Sequence, residues 1–138
     1  MKTMYRYLTA AALVSALITS ACDGALTDTE PRPGVLTVTF TTSHSDDGAV
    51  SLILRGKDIG KLESVSDDRQ MFLVDGDASD GELRLALIGE GLSGTLIRFA
   101  VPDVNQIDAY KVELLEVADE ANRLRENLRG YELVISGG

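Results

Sequence analysis

Apolar and polar residues alternate with a period of two along most of the chain after residue 34. In residues 82–88, ELRLALI, the alternation puts Leu83, Leu85 and Leu87 on one side and charged or small residues on the other. The same alternation covers residues 35–42, 49–55, 95–101 and 131–136, and shorter or weaker apolar segments cover residues 62–66, 70–74 and 110–117. Successive side chains of a β-strand point to opposite faces, so this pattern predicts a series of strands with one buried face each.

Turn-forming residues separate these segments at intervals of about 8–12 residues. Seven or eight short strands in about 105 residues are typical of an antiparallel β-sandwich of immunoglobulin-like size, and a β-barrel is the alternative. Residues 118–130 break the pattern, because Ala121, Leu124 and Leu128 have helical spacing and Gly130 follows them. The predicted fold is therefore all-β, with one short helix near the C-terminus.

The order of the strand segments and the phrase GTLIRFAVPDV, residues 94–104, resemble cohesin-type sandwiches and bacterial cell-surface modules. The resemblance is spread over the strands and rests on no diagnostic motif. It implies an immunoglobulin-like or cohesin-like sandwich. Folds of this kind carry many functions, so the resemblance implies a fold and not an activity.

The first 21 residues differ from the rest of the chain in charge and hydropathy. They hold two cations, Lys2 and Arg6, no acid, and an apolar run from Leu8 to Ile18 that small residues follow. This layout is typical of a secretory signal. The apolar run has 11 residues, about half of the roughly 20 that span a bilayer as a permanent helix. We therefore assign residues 1–21 to a signal peptide.

The single cysteine, Cys22, stands directly after Ser20 and Ala21. This end of the signal resembles the lipobox of bacterial lipoprotein precursors, although Thr19 stands where leucine is usual. In that family the cysteine thiol carries diacylglycerol, and a dedicated peptidase cuts the chain just before it. The resemblance implies an exported protein that a lipid on Cys22 anchors to a bacterial membrane, facing the periplasm or the cell surface. The alternatives are an ordinary secretory signal cut elsewhere, for instance after Ala21, and an uncleaved transmembrane anchor.

Residues 23–33, DGALTDTEPRP, have no periodicity and contain Pro31 and Pro33. This composition predicts a flexible or semi-extended linker. Its 11 residues would reach at most about 36–40 Å when fully extended. The predicted organisation is a signal peptide over 1–21, a lipidated tether over 22–33 and a sandwich domain over 34–138.

The chain is acidic, with 22 Asp and Glu against 13 Lys and Arg and a formal net charge of −9. Because the signal peptide carries +2, the rest of the chain carries −11. Proteins that bind nucleic acid neutralise phosphates with Lys and Arg, so this charge argues against a DNA or RNA partner. The single cysteine excludes an internal disulfide and a zinc site made of several cysteines.

The supply of catalytic side chains is small. His44 is the only histidine and lies in a turn between two serines, and neighbours in sequence do not form a catalytic triad. Sugar sites use exposed aromatic rings, but this chain has no tryptophan. The aromatic residues after residue 34 lie in apolar strand segments, so we expect all of them in the core: Phe40, Phe72, Phe99, Tyr110 and Tyr131. We therefore predict a protein that is not an enzyme, with a carboxylate-based hydrolase as the alternative.

Residues 75–82, DGDASDGE, alternate oxygen-bearing side chains in the manner of a calcium loop. The candidate ligands are Asp75, Asp77, Ser79 and Asp80. An EF-hand is excluded, because its sixth position is glycine and Asp80 stands there, and because the flanking segments are strands. A hairpin turn is the interpretation that we favour. We therefore predict no cofactor, with calcium in a calcium-stabilised adhesion module as the alternative.

Three arginines, Arg123, Arg125 and Arg129, lie close together in an otherwise acidic chain. One interpretation is a solvated helix with ion pairs three and four residues apart. The other is a helix that docks a protein partner. The function that we favour is a membrane-anchored envelope lipoprotein that acts as a non-enzymatic binding or interaction module, with a protein partner in the cell envelope.

Overall fold

The computed structural model describes residues 30–138. The predicted signal peptide, the predicted lipidation site Cys22 and residues 23–29 of the tether lie outside the described residues. The described chain contains eight strands and one 3-10 helix. The strands are β1 (Gly34–Thr41), β2 (Asp47–Arg55), β3 (Leu62–Ser64), β4 (Gln70–Asp77), β5 (Glu82–Ile88), β6 (Gly94–Val101), β7 (Lys111–Asp119) and β8 (Glu132–Gly137), and the 3-10 helix spans Val104–Ala109.

The strands form two packed four-stranded sheets, with the orders β3-β6-β1-β8 and β4-β5-β2-β7. Every pair of neighbouring strands is antiparallel. The structure therefore confirms the antiparallel β-sandwich that the alternation predicts. Only β4 and β5 are consecutive strands in one sheet. The chain otherwise crosses from one sheet to the other, so most strand pairs join distant parts of the sequence.

The core lies between the sheets and is built from the side chains that the alternation places on one face. Leu83, Leu85 and Leu87 of β5 are buried, as predicted. Phe40 and Phe99 are also buried, and Tyr110 closes the core beside Phe99, with ring centroids 5.6 Å apart. The other buried core residues come mainly from β1, β2 and β6 and from loops next to them: Leu36, Val38, Val50, Leu52, Leu54, Ile59, Leu92, Leu96, Ile97, Val101 and Val117.

The helix predicted for residues 118–130 does not form, so that placement was wrong. Strand β7 continues to Asp119, and turns and irregular backbone follow it. The Asp119 carboxylate accepts hydrogen bonds from the backbone N–H groups of Ala121 and Arg123, both at 2.9 Å. The backbone then folds back onto β7, where the N–H of Asp119 donates to the Arg123 carbonyl at 3.0 Å and the N–H of Arg125 donates to the Val117 carbonyl at 2.8 Å. These pairings replace the hydrogen bonds of a helix. Leu124, which a helix would have buried, is 64% exposed.

The one helix among residues 30–138 is the 3-10 helix Val104–Ala109, and Asp103 caps its start. Asp103 accepts hydrogen bonds from the backbone N–H of Asn105 at 3.0 Å and from the side-chain amide of Gln106 at 3.1 Å. It also accepts the backbone N–H of Arg32 at 3.1 Å, which fixes the chain just before β1. In this part of the chain, no helix is long and apolar enough to cross a membrane.

The two sides of the sandwich close differently. On one side, the edge strands β7 and β8 pack against each other across the two sheets. On the other side, the eight-residue edge strand β4 faces β3, which has only three residues. A short strand covers little of its neighbour, so the β4 side of the core is left partly open.

Candidate functional site

A polar network holds the loops at one end of the sandwich. Asp47 is fully buried, and its Oδ1 accepts hydrogen bonds from Nε and Nη2 of Arg125 at 3.0 and 2.8 Å and from the Tyr131 hydroxyl at 3.2 Å. Its Oδ2 accepts the Thr42 hydroxyl at 2.6 Å. We call these four residues the Asp47 network. It joins β2 to the β7–β8 connection, which lies 78 residues away in sequence.

A second buried carboxylate, that of Asp119, stabilises the same connection. Its Oδ1 accepts the backbone N–H groups already described, and its Oδ2 accepts Nε of Arg123 at 2.8 Å. The backbone N–H of Arg123 in particular, with help from its guanidinium, lowers the pKa of Asp119 below the usual range. Hydrogen bonds of this kind stabilise the ionised form, so Asp119 acts here as a structural anion.

The arginines predicted to bind a partner have different surroundings. Arg125 pairs with Asp46 at 2.6 Å as well as with Asp47, and its side chain is only 20% exposed. These contacts engage its guanidinium within the molecule and raise its pKa, first through the Asp47 hydrogen bonds. Arg123 and Arg129 are exposed. A role for the three residues in partner binding stays a prediction, and the structure gives Arg125 a structural role besides.

His44 lies in the loop between β1 and β2 and is exposed. Its ring stacks on Tyr131, with ring centroids 5.6 Å apart, and Tyr131 stacks in turn on the buried Phe40 at 5.7 Å. Its backbone N–H donates to the Thr42 hydroxyl at 2.9 Å. These contacts place His44 on the outside of the Asp47 network, as part of the cover of the core.

The four calcium candidates lie at the β4–β5 hairpin. Asp77 Oδ1 accepts the backbone N–H of Ser79 at 2.8 Å and its hydroxyl at 3.0 Å, and this contact lowers the pKa of Asp77. Asp75 accepts the backbone N–H of Gly76 at 2.9 Å. Asp80 is exposed in the turn. Among residues 30–138, no group of three or more His, Cys, Asp or Glu side chains is placed to hold a metal ion.

An open cleft of about 920 Å³ lies near the Asp47 network, between the loops at the same end of the sandwich. Four acidic residues line it, Asp68, Glu90, Asp119 and Glu120, and the Glu120 carboxylate accepts the backbone N–H of Gly91 at 3.1 Å. A hydrolase would need a carboxyl group with a raised pKa as its general acid. The carboxyl groups of residues 30–138 whose pKa is shifted all have it lowered: Glu63, Asp77, Asp103 and Asp119. The hydrolase alternative stays a prediction.

The edge strand β4 and the neighbouring β5 carry a group of exposed apolar side chains. Phe72, Leu73 and Val74 are 47%, 59% and 57% exposed, and Ile88 on the neighbouring β5 is 50% exposed. We call these four residues the β4 patch. The prediction that all five aromatic residues lie in the core was therefore wrong for Phe72.

The strand register explains the exposure of the β4 patch. Leu73 lies opposite the buried Leu85 and so on the core side of the sheet, but the short β3 does not cover it. Phe72 lies opposite Ala86, on the outer face that Ile88 shares. An irregularity between Leu73 and Asp75 then shifts the register. Both faces of the sheet at β4 therefore carry apolar side chains that are exposed to solvent.

The β4 patch corresponds to an unusual apolar run in the sequence. Residues 71–74 are four consecutive apolar residues without alternation. Such a run is typical of a strand buried on both faces, which is why it favoured the core. A strand at the edge of a sheet has the same composition when a partner covers it, and one sequence does not distinguish the two.

Comparisons with known proteins add no family assignment. No protein-family model matches the sequence, and searches of the curated proteins and of the solved structures find no significant match. The resemblances to lipoprotein precursors and to cohesin-type modules therefore stay predictions from the residues that carry them. Residues 30–138 form an eight-stranded antiparallel β-sandwich with an exposed apolar edge on β4.

Proposed function

We propose that this protein is an exported envelope lipoprotein, anchored through Cys22, and that it works as a non-enzymatic interaction module. The observation that carries the proposal is the β4 patch. Monomeric proteins seldom leave contiguous apolar side chains on a long edge strand, because such an edge pairs with other chains. A protein that keeps one exposes it for a partner. The lipobox-like sequence around Cys22 supplies the anchoring part.

The attachment of the domain to its tether supports a position near the membrane surface. Asp103 binds the backbone N–H of Arg32, and Val104 donates its own backbone N–H to the Arg32 carbonyl at 2.9 Å. The tether between a lipid on Cys22 and this fixed point is therefore residues 23–31. Nine residues reach at most about 32 Å. The tether would therefore keep the attachment point at Arg32 within about 32 Å of the membrane surface.

Replacement of the predicted lipidation site tests the anchoring. We expect Cys22→Ser to remain uncut and to incorporate no labelled fatty acid in expressing cells, because the thiol that would carry the acyl chains is absent. Ser20→Ala, which keeps a small residue before the cysteine, is the matched control and is expected to be processed like the parent. Normal processing and membrane binding of Cys22→Ser would refute the anchoring.

Crosslinking in intact cells tests the interaction. A photoreactive amino acid at Leu73, in the β4 patch, is compared with one at Val134, an exposed apolar residue on the edge strand β8 of the other sheet. We expect a discrete crosslinked band from position 73 and none from position 134. Equal labelling from both positions, or none from either, would contradict a docking surface on β4.

A further inference from the structure

We infer that the β4 edge binds an extended polypeptide segment with an apolar centre and basic flanks, and that this segment pairs with β4 as an additional strand. The inference rests on the proposed interaction function and names the chemistry of its partner. It follows from three features of the edge: its free backbone, its apolar side chains and the acidic groups at both of its ends.

The first feature is the backbone. β4 pairs only with β5, and within residues 30–138 no strand lies on its outer side. Alternate residues of β4 therefore direct N–H and C=O groups toward a new strand, on both sides of the irregularity between Leu73 and Asp75. An extended segment that adds to a sheet edge obtains affinity from these main-chain hydrogen bonds and specificity from alternate side chains. A helix cannot use them, because its own backbone groups are already paired.

The second feature is the pair of apolar faces. Leu73 lies on the core side of the edge, and Phe72 lies on the outer side next to Ile88. An added strand would send alternate side chains to the same two faces. Apolar side chains on the incoming strand would cover Leu73 where β3 does not reach. The centre of the incoming segment is therefore expected to be apolar.

The third feature is charge. Asp67 and Asp68 precede β4, and the far end carries Asp75 and Asp77, with Asp80 and Glu82 in and after the turn. Three cations lie nearby, Arg69, Arg84 and Arg55, and Nε of Arg55 pairs with Glu82 at 2.8 Å. The guanidinium of Arg69 is turned toward the other sheet, where it donates to the carbonyl oxygens of Thr95 at 2.8 Å and Ser93 at 3.0 Å. Arg84 lies opposite Asp75. Acids therefore outnumber cations at both ends of the edge.

The charge argues against a second copy of this chain as the partner. Because acids flank both ends of β4, two β4 strands would bring carboxylates together whether they paired parallel or antiparallel. The domains would also repel as wholes, since residues 30–138 hold 20 Asp and Glu against 11 Lys and Arg. A segment with Lys or Arg on each side of an apolar centre places opposite charges at both ends instead.

Two fluorescent peptides test the inference against the full chain purified from expressing cells in a mild detergent. One is Lys-Lys-Val-Thr-Val-Thr-Val-Lys-Lys, and the other has Glu in place of every Lys. We expect the Lys peptide to bind at least about tenfold more tightly than the Glu peptide, and the difference to shrink between low and high salt, because salt screens exposed charges. Equal affinity of the two peptides would refute the inference that the partner segment has basic flanks.

Two further measurements locate the binding. Leu73→Thr is expected to weaken the Lys peptide several-fold, while Val134→Thr on β8 leaves its affinity unchanged. N-methylation of alternate residues removes the N–H donors along one edge of the extended peptide. A peptide methylated along the edge that pairs with β4 is expected to lose binding. Unchanged affinity of the peptides methylated on either side would refute strand addition.

The two proposals fail in different ways. A crosslink from position 73 in cells, with no preference for the Lys peptide, would overturn the basic strand and leave a docking surface on β4 standing. A stable dimer of the purified chain that Leu73→Lys disrupts would overturn the choice of partner in favour of a second copy. Peptide binding that both Leu73→Thr and Val134→Thr leave unchanged would place the site elsewhere and overturn the inference.

Discussion

The Asp47 network and the β4 patch differ in where their polar and apolar side chains lie. In the first, a fully buried carboxylate has its oxygens satisfied by Arg125, Tyr131 and Thr42. Among the described residues, no buried side-chain nitrogen or oxygen lacks a hydrogen-bond partner. In the second, large apolar side chains remain in water although a core lies next to them. The buried polar groups of the Asp47 network are therefore hydrogen-bonded, whereas the apolar side chains of the β4 patch are exposed to solvent.

This difference suggests separate roles for the two regions. Burying a charge is costly unless it is paired, so the Asp47 network holds its loops in one arrangement. Exposed apolar side chains add little to the stability of the isolated domain, since they gain their burial only against another molecule. Substitutions at the first region should therefore change folding, and substitutions at the second should change binding.

The largest effect is expected in the Asp47 network. Asp47→Asn removes the charge opposite Arg125 and should lower the free energy of unfolding by about 3 kcal/mol or more, as is usual when one partner of a buried ion pair is lost. Asp46→Asn is the matched control, because Asp46 also binds Arg125 but is half exposed; there we expect less than about 1 kcal/mol. Urea unfolding measures both, and equal losses would contradict the buried network.

A smaller but sharp contrast is expected between two leucines that face each other across β4 and β5. Leu85→Ala empties a core position and should cost about 2–5 kcal/mol. Leu73→Ala, directly opposite, should cost about 0.5 kcal/mol or less, because that side chain is mostly exposed. Thermal unfolding of both variants measures the difference. A comparable cost at Leu73 would mean that the β4 patch belongs to the core.

Acid should weaken the loop end through Asp119. The folded protein lowers the pKa of this group, so its contribution to stability is complete above the unfolded value and is lost as pH falls through the folded value. The free energy of unfolding should therefore fall below about pH 4. Asp119→Asn should show a shallower fall in this range. An identical pH dependence in parent and variant would contradict this role.

The smallest effect is expected from calcium. A cation that binds only the folded chain raises its melting temperature by mass action. No group of three acids converges among residues 30–138, so about 5 mM calcium, enough to load weak extracellular sites, should leave the melting temperature unchanged to within about 1 °C. A clear rise that Asp77→Asn abolishes would revive the calcium-stabilised adhesion module.

The local pattern of the sequence predicted the strands well. Strand β5 spans the residues that the alternation assigns, and the buried leucines on it are the predicted ones. Alternation succeeds where one face of a strand is buried and the other is wet. It gives no information on strand order, and it could not say which apolar strand would lie at an edge. Phe72 was misplaced for that reason.

Non-local contacts decided the parts that the sequence did not predict. Asp47 stands in a turn-like phrase, SHSDDG, and Arg125 lies 78 residues later, so nothing in the local sequence joins them. Ala121, Leu124 and Leu128 do have helical spacing, but the backbone of residues 123–125 pairs with the end of β7 instead of forming a helix. A period of 3–4 residues predicts a helix only where no cap or tertiary contact competes.

Amide hydrogen exchange of the full chain, with and without the Lys-flanked peptide, tests the central claim most directly. If β4 accepts an added strand, the peptide should slow exchange at residues 70–77 and leave residues 120–130, which contain the three arginines, unchanged. Protection confined to residues 120–130, or no protection on β4 at saturating peptide, would contradict the account.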